Sequence, residues 1–141
     1  MELEMPKRQT LIVVRGLPGA GKTTIAEALC RSGLADSYYE ADMYFERDGK
    51  YQYDKSKIKD AHLWCFQKVD NDIRDGKTVV VSNTGTRRWE YQKYLDLAEE
   101  LNIHTQILTV QSDYDNIHQV PEDTLQRMRD RFEWDEEFCR C

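Results

Sequence analysis

Proline is scarce, with three residues in 141, and the seven glycines are too few for a low-complexity or collagen-like chain. No composition shift marks a linker, so a single domain over residues 1–141 is expected, with residues 1–8 and 138–141 outside its packed part. The four cysteines (Cys30, Cys65, Cys139, Cys141) form no regular framework, and the last two are separated by one residue where zinc pairs have about two to four. They read as reduced thiols. No apolar run approaches the ~18 residues of a membrane span, and residues 1–9 lack the apolar centre of a signal peptide. A soluble, cytoplasmic protein with no membrane partner is the expectation. Positive charge is not in excess either: a net charge of -6 excludes coating of nucleic acid by bulk electrostatics, while leaving room for a local basic pocket that receives one strand end.

What is present is a 40% hydrophobic content, sufficient for a core without staples, and a regular alternation of strand and helix patterns. Residues 10–14 (Thr-Leu-Ile-Val-Val) are apolar on both faces and predict a buried strand. A helix is expected from Lys22 to about Arg31, burying Ile25, Ala26, Ala28 and Leu29 and stopped by Gly33. Residues 37–41 predict a weaker strand ending at Asp42. Asp48-Gly49 then marks a surface loop or small hairpin. Residues 56–74 predict a second helix with an inward stripe of Ile58, Ala61, Leu63, Trp64, Cys65 and Val69. Residues 78–81 predict another buried strand, followed by a polar loop, Ser82 to Thr86. A helix capped by Thr86 is expected over residues 87–101, with Trp89, Tyr94, Leu95, Leu97, Ala98 and Leu101 inward. A strand over 104–110 and a helix over 122–137, carrying Leu125, Met128, Phe132 and Trp134, complete the order. Together these predict an α/β fold, a parallel sheet of four to five strands with helices on both faces. In such folds ligands sit at the carboxyl ends of the strands, where Gly16, Asp42 and Ser82 should converge.

Gly16-Leu17-Pro18-Gly19-Ala20-Gly21-Lys22-Thr23 matches the phosphate-binding pattern G-x-x-x-x-G-K-[ST]. Backbone N–H groups must turn inward around an anion, which favours glycines, and the following helix points its positive end at the phosphates. With a buried strand before it and a helix after it, the motif makes the expected fold class an α/β P-loop NTPase, and a nucleoside triphosphate, ATP with Mg2+, is expected on residues 16–23 together with Thr24. Lys22 would meet the β- and γ-phosphates, and the Thr23 hydroxyl would meet the metal.

Hydrolysing motors and switches carry an aspartate at the end of a second apolar strand to hold magnesium. Here that strand ends in Ser82-Asn83, without charge. The carboxylate lies instead at Asp42, where it could take the proton of an attacking hydroxyl. On spacing alone, Asp42 could also simply turn the loop.

Arg15 through Thr24, Ala41-Asp42-Met43-Tyr44-Phe45, Tyr51-Gln52-Tyr53-Asp54, Ala61-His62, Val80 through Thr84 and Trp89-Glu90 resemble the P-loop kinase domain of bacteriophage polynucleotide kinase and its metazoan relatives. Asn116 through Pro121 and Arg127-Met128 are similar to that family's lid and following helix, so the resemblance covers residues 8–134. It implies transfer of the ATP γ-phosphate to a 5′-hydroxyl of DNA or RNA, with Asp42 as general base and the 5′ end of a strand as partner.

Three departures are visible. Phe45 replaces an acceptor-binding arginine, Asn83-Thr84-Gly85 replaces Asp-Thr-Asn, and Tyr114-Asp115 stand where the family's lid carries arginines. The segment between residues 110 and 116 also leaves little room for a lid helix. Arg87 and Arg88 are the expected substitutes, Arg88 acting in catalysis, and Tyr44, Thr84, Thr86, Arg87 and Arg88 are the expected acceptor contacts. Arg127, Arg129 and Arg131 are expected to pair with neighbouring acids along the last helix. A kinase of a small hydroxyl metabolite or nucleoside is the first alternative; an ATP-binding regulatory module with little phosphotransfer is the second.

Overall fold

The computed structural model describes residues 8–110 and 122–133. Four parallel strands form the sheet: β1 (Thr10–Gly16), β2 (Ser37–Tyr39), β5 (Val79–Asn83) and β6 (His104–Val110), in the spatial order β2-β5-β1-β6. The central pair is in register from Leu11↔Val79 to Arg15↔Asn83. Being flanked on both edges and covered on both faces, these two strands need apolar residues at every position, which explains their unbroken valine and isoleucine runs.

Side chains alternate across the sheet. Leu11, Val13, Val79 and Val81 face Ala61, Cys65, Val69 and Ile73 of α2 (Ile58–Arg74) and Tyr91, Tyr94 and Ala98 of α3 (Arg88–Glu100). Ile12, Val14 and Val80 face α1 (Lys22–Arg31), where Ala26 is fully buried. Helices therefore cover both faces. Each fully buried valine or leucine here contributes roughly 1.5–3 kcal/mol, so the sheet centre holds the domain together.

A 3-10 turn (Ala41–Phe45) follows β2, then a two-residue hairpin of β3 (Glu46–Arg47) and β4 (Lys50–Tyr51). Asp48 (φ 52) and Gly49 (φ 75) both take the left-handed conformation at its tip, as a tight hairpin requires. A last helix, α4, spans Glu122–Arg131.

Several boundaries and faces differ from expectation. β2 stops at Tyr39, and Asp42 belongs to the 3-10 turn. β5 runs two residues further than expected, so Ser82 and Asn83 are strand residues paired with Val14 and Arg15. α2 begins at Ile58 because Asp54 caps a preceding turn, accepting the Ser56 N–H at 3.0 Å. Thr86 does not occupy the cap position of α3; Arg87 does. Leu63 is 56% exposed, Trp89 72% exposed, and Ala28 is exposed. Each lies on the outer side of its helix, while Tyr91 and Ile73, outside the expected stripes, are buried. α4 ends at Arg131, six residues short of the expected limit. Trp134, Cys139, Cys141, Tyr114, Asp115 and residues 116–121 lie outside the described residues. Cys30 and Cys65 form no disulfide.

Candidate active site

Three loops leave the carboxyl end of the sheet and are stitched together by named bonds. The loop after β1 begins at Gly16, whose N–H donates to the Thr84 carbonyl at 3.1 Å. Only glycine fits at this point, because a Cβ would sit 2.9 Å from the Val110 carbonyl oxygen of β6. Gly19 (φ 81) and Gly21 (φ 99) then take left-handed backbone, turning the loop in on itself ahead of α1. Leu17 accepts the Ala20 N–H at 3.1 Å, and Lys22 folds back so that its Nζ donates to the Leu17 carbonyl at 3.0 Å.

Burial lowers the Lys22 pKa below its usual value, and the charges of Glu40 and Asp42 oppose that shift. The lysine is thus a largely enclosed cation facing two acids from the loop after β2. Thr23 reaches the same loop: its hydroxyl donates to Glu40 Oε1 at 2.7 Å. The third loop is tied in by Asn83, whose Oδ1 accepts the Ala41 N–H at 2.9 Å. Asp42 is therefore held from both sides, by Asn83 through its neighbour and by Tyr51, whose hydroxyl donates to Asp42 Oδ1 at 3.3 Å. Burial, followed by the Asp42 charge, pushes the Tyr51 pKa up to about 12.

The donor set fits a magnesium-bound triphosphate. The glycine turns and the N-terminus of α1 form an anion cradle. Oxygen ligands suited to a hard cation stand at its edge in Thr23 and Glu40. The Ser82 hydroxyl, buried without a hydrogen-bond partner among the described residues, lies on the α1 side of the sheet at the end of β5.

The expected acceptor residues separate into two groups. Tyr44 lines a cleft of about 490 Å³ together with Phe45, Tyr53, Lys55 and Lys57. Tyr51 and Tyr53, each more than half exposed, run parallel at 6.4 Å with 15° between their planes. Thr84 lies at the loop junction through its carbonyl. By contrast, Thr86 is buried, its hydroxyl donating to the Glu90 carboxylate at 3.0 Å. Arg87 pairs with Glu133 at 3.2 Å, and the Arg88 Nε donates to Gln92 at 3.3 Å. These three residues serve the start of α3 in this structure. Arg127 pairs with Asp123 along α4 and Arg129 with Glu122, whereas Arg131 crosses to Glu90 of α3 at 2.9 Å. His62 is half-buried, its pKa lowered by burial and by Lys93, with Glu90 and Asp42 pulling the other way.

Two residues that spacing alone did not single out shape the site. Glu40 precedes the Asp42 turn and bonds the P-loop threonine. Arg15 is fully buried under the loops: its guanidinium donates to the Gly85 carbonyl at 2.8 Å and the Thr86 carbonyl at 3.1 Å, between the rings of Tyr91 (5.0 Å) and Phe132 (4.2 Å). An arginine flanked by valines and a P-loop was a visible oddity, since charged residues are rarely buried unless paired.

The family comparison covers most of the chain: the AAA domain family matches residues 11–134. Human NEDD4-binding protein 2 is 29% identical over 91 residues, 64% of this chain, while the chain spans only 5% of that protein's length. Among solved structures, the Pnkp1/Rnl/Hen1 complex superposes with a TM-score of 0.59 at 14% identity, over 89% of this chain and 40% of the other. A gluconokinase from Sinorhizobium meliloti 1021 superposes with a TM-score of 0.61 at 17% identity, over 90% and 77%. Kti12 of Chaetomium thermophilum, in complex with ADP-AlF3, gives 0.62 at 16% identity, over 92% and 84%. Identities this low establish a shared fold only. With its phosphate loop, four-stranded parallel sheet and flanking helices, the chain belongs to the AAA domain family as a P-loop domain of kinase-like fold.

Proposed function

We propose that the chain is an ATP-dependent kinase that transfers the γ-phosphate to a 5′-hydroxyl of DNA or RNA. The observation that carries the acceptor class is the cleft lined by the residues that follow the Asp42 turn, where Tyr44, Phe45 and Tyr53 meet Lys55 and Lys57, with Gln52 and Asp54 between them. Nucleobases stack on aromatic faces and phosphates pair with lysines, so this mixture suits a strand end better than a small sugar.

In this reading the acceptor oxygen attacks the γ-phosphorus, its proton passes to the free oxygen of Asp42, and the bond to the bridging oxygen breaks to release ADP. Tyr51 holds the other Asp42 oxygen and so fixes the carboxylate's orientation. Lys22 swings from the Leu17 carbonyl to the phosphates, carrying its charge to the transferring group. Thr23, oriented by Glu40, would hold a magnesium ion carried in with the nucleotide, and that ion would supply charge neutralisation on the phosphates.

A second reading, an ATP-binding module with little phosphotransfer, draws on the engagement of Arg87 by Glu133 and of Arg88 by Gln92. The kinase reading needs Arg88 to leave Gln92 and turn to the γ-phosphate once nucleotide binds. Labelled ATP with a panel of 5′-hydroxyl oligonucleotides, nucleosides and gluconate separates the readings. Label on oligonucleotides, reduced about 10²- to 10⁴-fold in Asp42→Asn, is the expected result. Label confined to gluconate or nucleosides, or transfer by Asp42→Asn at the wild-type rate, defeats it.

A further inference from the structure

β5 ends without a carboxylate, closing on Ser82 and Asn83. Glu40 instead follows the neighbouring strand β2, at the cap of the 3-10 turn, and β2 lies directly beside β5 in the sheet. Its Oε1 accepts a hydrogen bond from the Thr23 hydroxyl at 2.7 Å. A hydroxyl has one proton and two lone pairs, so a threonine that donates to Glu40 is left with its lone pairs facing away from the carboxylate. Those lone pairs are what a cation beside the phosphate loop would meet. The backbone after Glu40 is fixed by the Asn83 bond to Ala41 N–H, and the Glu40 charge acts on Lys22.

We propose that Glu40 is the carboxylate that orients Thr23 and the water shell of the nucleotide-bound magnesium, a role no residue of β5 fills. It is a positioning residue, acting through Thr23. The proposal rests on the nucleotide-binding part of the function given above. It also has a consequence that a packing role lacks: without a divalent cation, Glu40 and Asp42 both repel a triphosphate, so Glu40 makes nucleotide affinity depend on the metal.

The test uses a fluorescent N-methylanthraniloyl ATP titrated onto the protein in EDTA and in Mg2+, giving a ratio of affinities. In Glu40→Gln, whose amide oxygen can still accept from Thr23, the ratio falls about 10- to 100-fold, with binding in EDTA unchanged or tighter. Glu40→Asp keeps the charge on a shorter arm and retains part of the ratio. Thr23→Ala lowers the ratio by a similar factor, and the double variant loses less than the product of the two, because the pair acts as a unit. Thermal melts of each variant verify the fold. An unchanged ratio in Glu40→Gln, or an equal loss with and without metal, overturns the proposal. Failure of the wild-type protein to bind nucleotide in Mg2+ defeats the function itself, and this inference with it.

Discussion

Replacing Arg15 by methionine tests how the loop after β5, which borders the phosphate loop, is anchored. The substitution keeps most of the side-chain volume and removes the guanidinium, which is fully buried between Tyr91 and Phe132. The bond to Gly85 O, at 2.8 Å, is charge-assisted, and its loss leaves a buried carbonyl unpaired at a cost of about 1–3 kcal/mol. Thr86 O loses less, because it also accepts the Glu133 N–H at 2.6 Å. Two desolvated ring contacts add about 1 kcal/mol each. Removing a buried charge returns some of its desolvation cost, so the net expectation is a loss of about 2–3 kcal/mol. For a domain of this size that corresponds to a drop in Tm of roughly 6–12 °C. Urea unfolding followed by tryptophan fluorescence gives the free energy, and calorimetry the Tm. Arg15→Lys, which keeps the charge and loses the two-pronged geometry, should fall between. A loss below about 0.5 kcal/mol for Arg15→Met would place the anchor elsewhere and refute this account of how Gly85 and Thr86 are held.

Gly16→Ala brings a Cβ within 2.9 Å of Val110 O; urea unfolding should show a loss of about 1–3 kcal/mol, accompanied by weaker nucleotide binding. Asn83→Ala releases the Ala41 N–H and should cost about 1 kcal/mol in the same assay, whereas Asn83→Asp, which keeps the acceptor, should restore most of it. Tyr51 has a folded-state pKa raised to about 12 by desolvation and then by the Asp42 charge, and because the residue is more than half exposed and water screens the effect, its neutral form favours the fold only modestly. That contribution is fully present below the ordinary tyrosine pKa near 10 and is lost as the pH climbs from there to about 12. Ultraviolet difference titration of wild type against Tyr51→Phe should show the high-pH transition, and Asp42→Asn should move it down. Trp89→Ala, at an exposed position, should leave stability within about 0.5 kcal/mol.

The phosphate loop and the two central strands were legible in residues 10–23 because their determinants are local. Glycines set the turn, α1 begins where the turn ends, and doubly buried strands need unbroken apolar runs. The strand and helix order, hence the parallel sheet, followed from the same periodicities. Tertiary structure decided what depends on neighbours distant in sequence. Leu63 and Trp89 face outward because the sheet takes only one side of each helix, and hydrophobicity by itself does not say which. Asn83, 42 residues from Ala41, fixes the Asp42 turn by one hydrogen bond, and Glu40 meets Thr23 only because β2 and β1 end on the same side of the sheet. Thr86, Arg87 and Arg88 could be read as reaching an acceptor because sequence places them at the sheet edge. Of the partners that hold them, Glu90 and Gln92 are local, four residues on along α3, and only Glu133, 46 residues from Arg87, is brought in by tertiary packing.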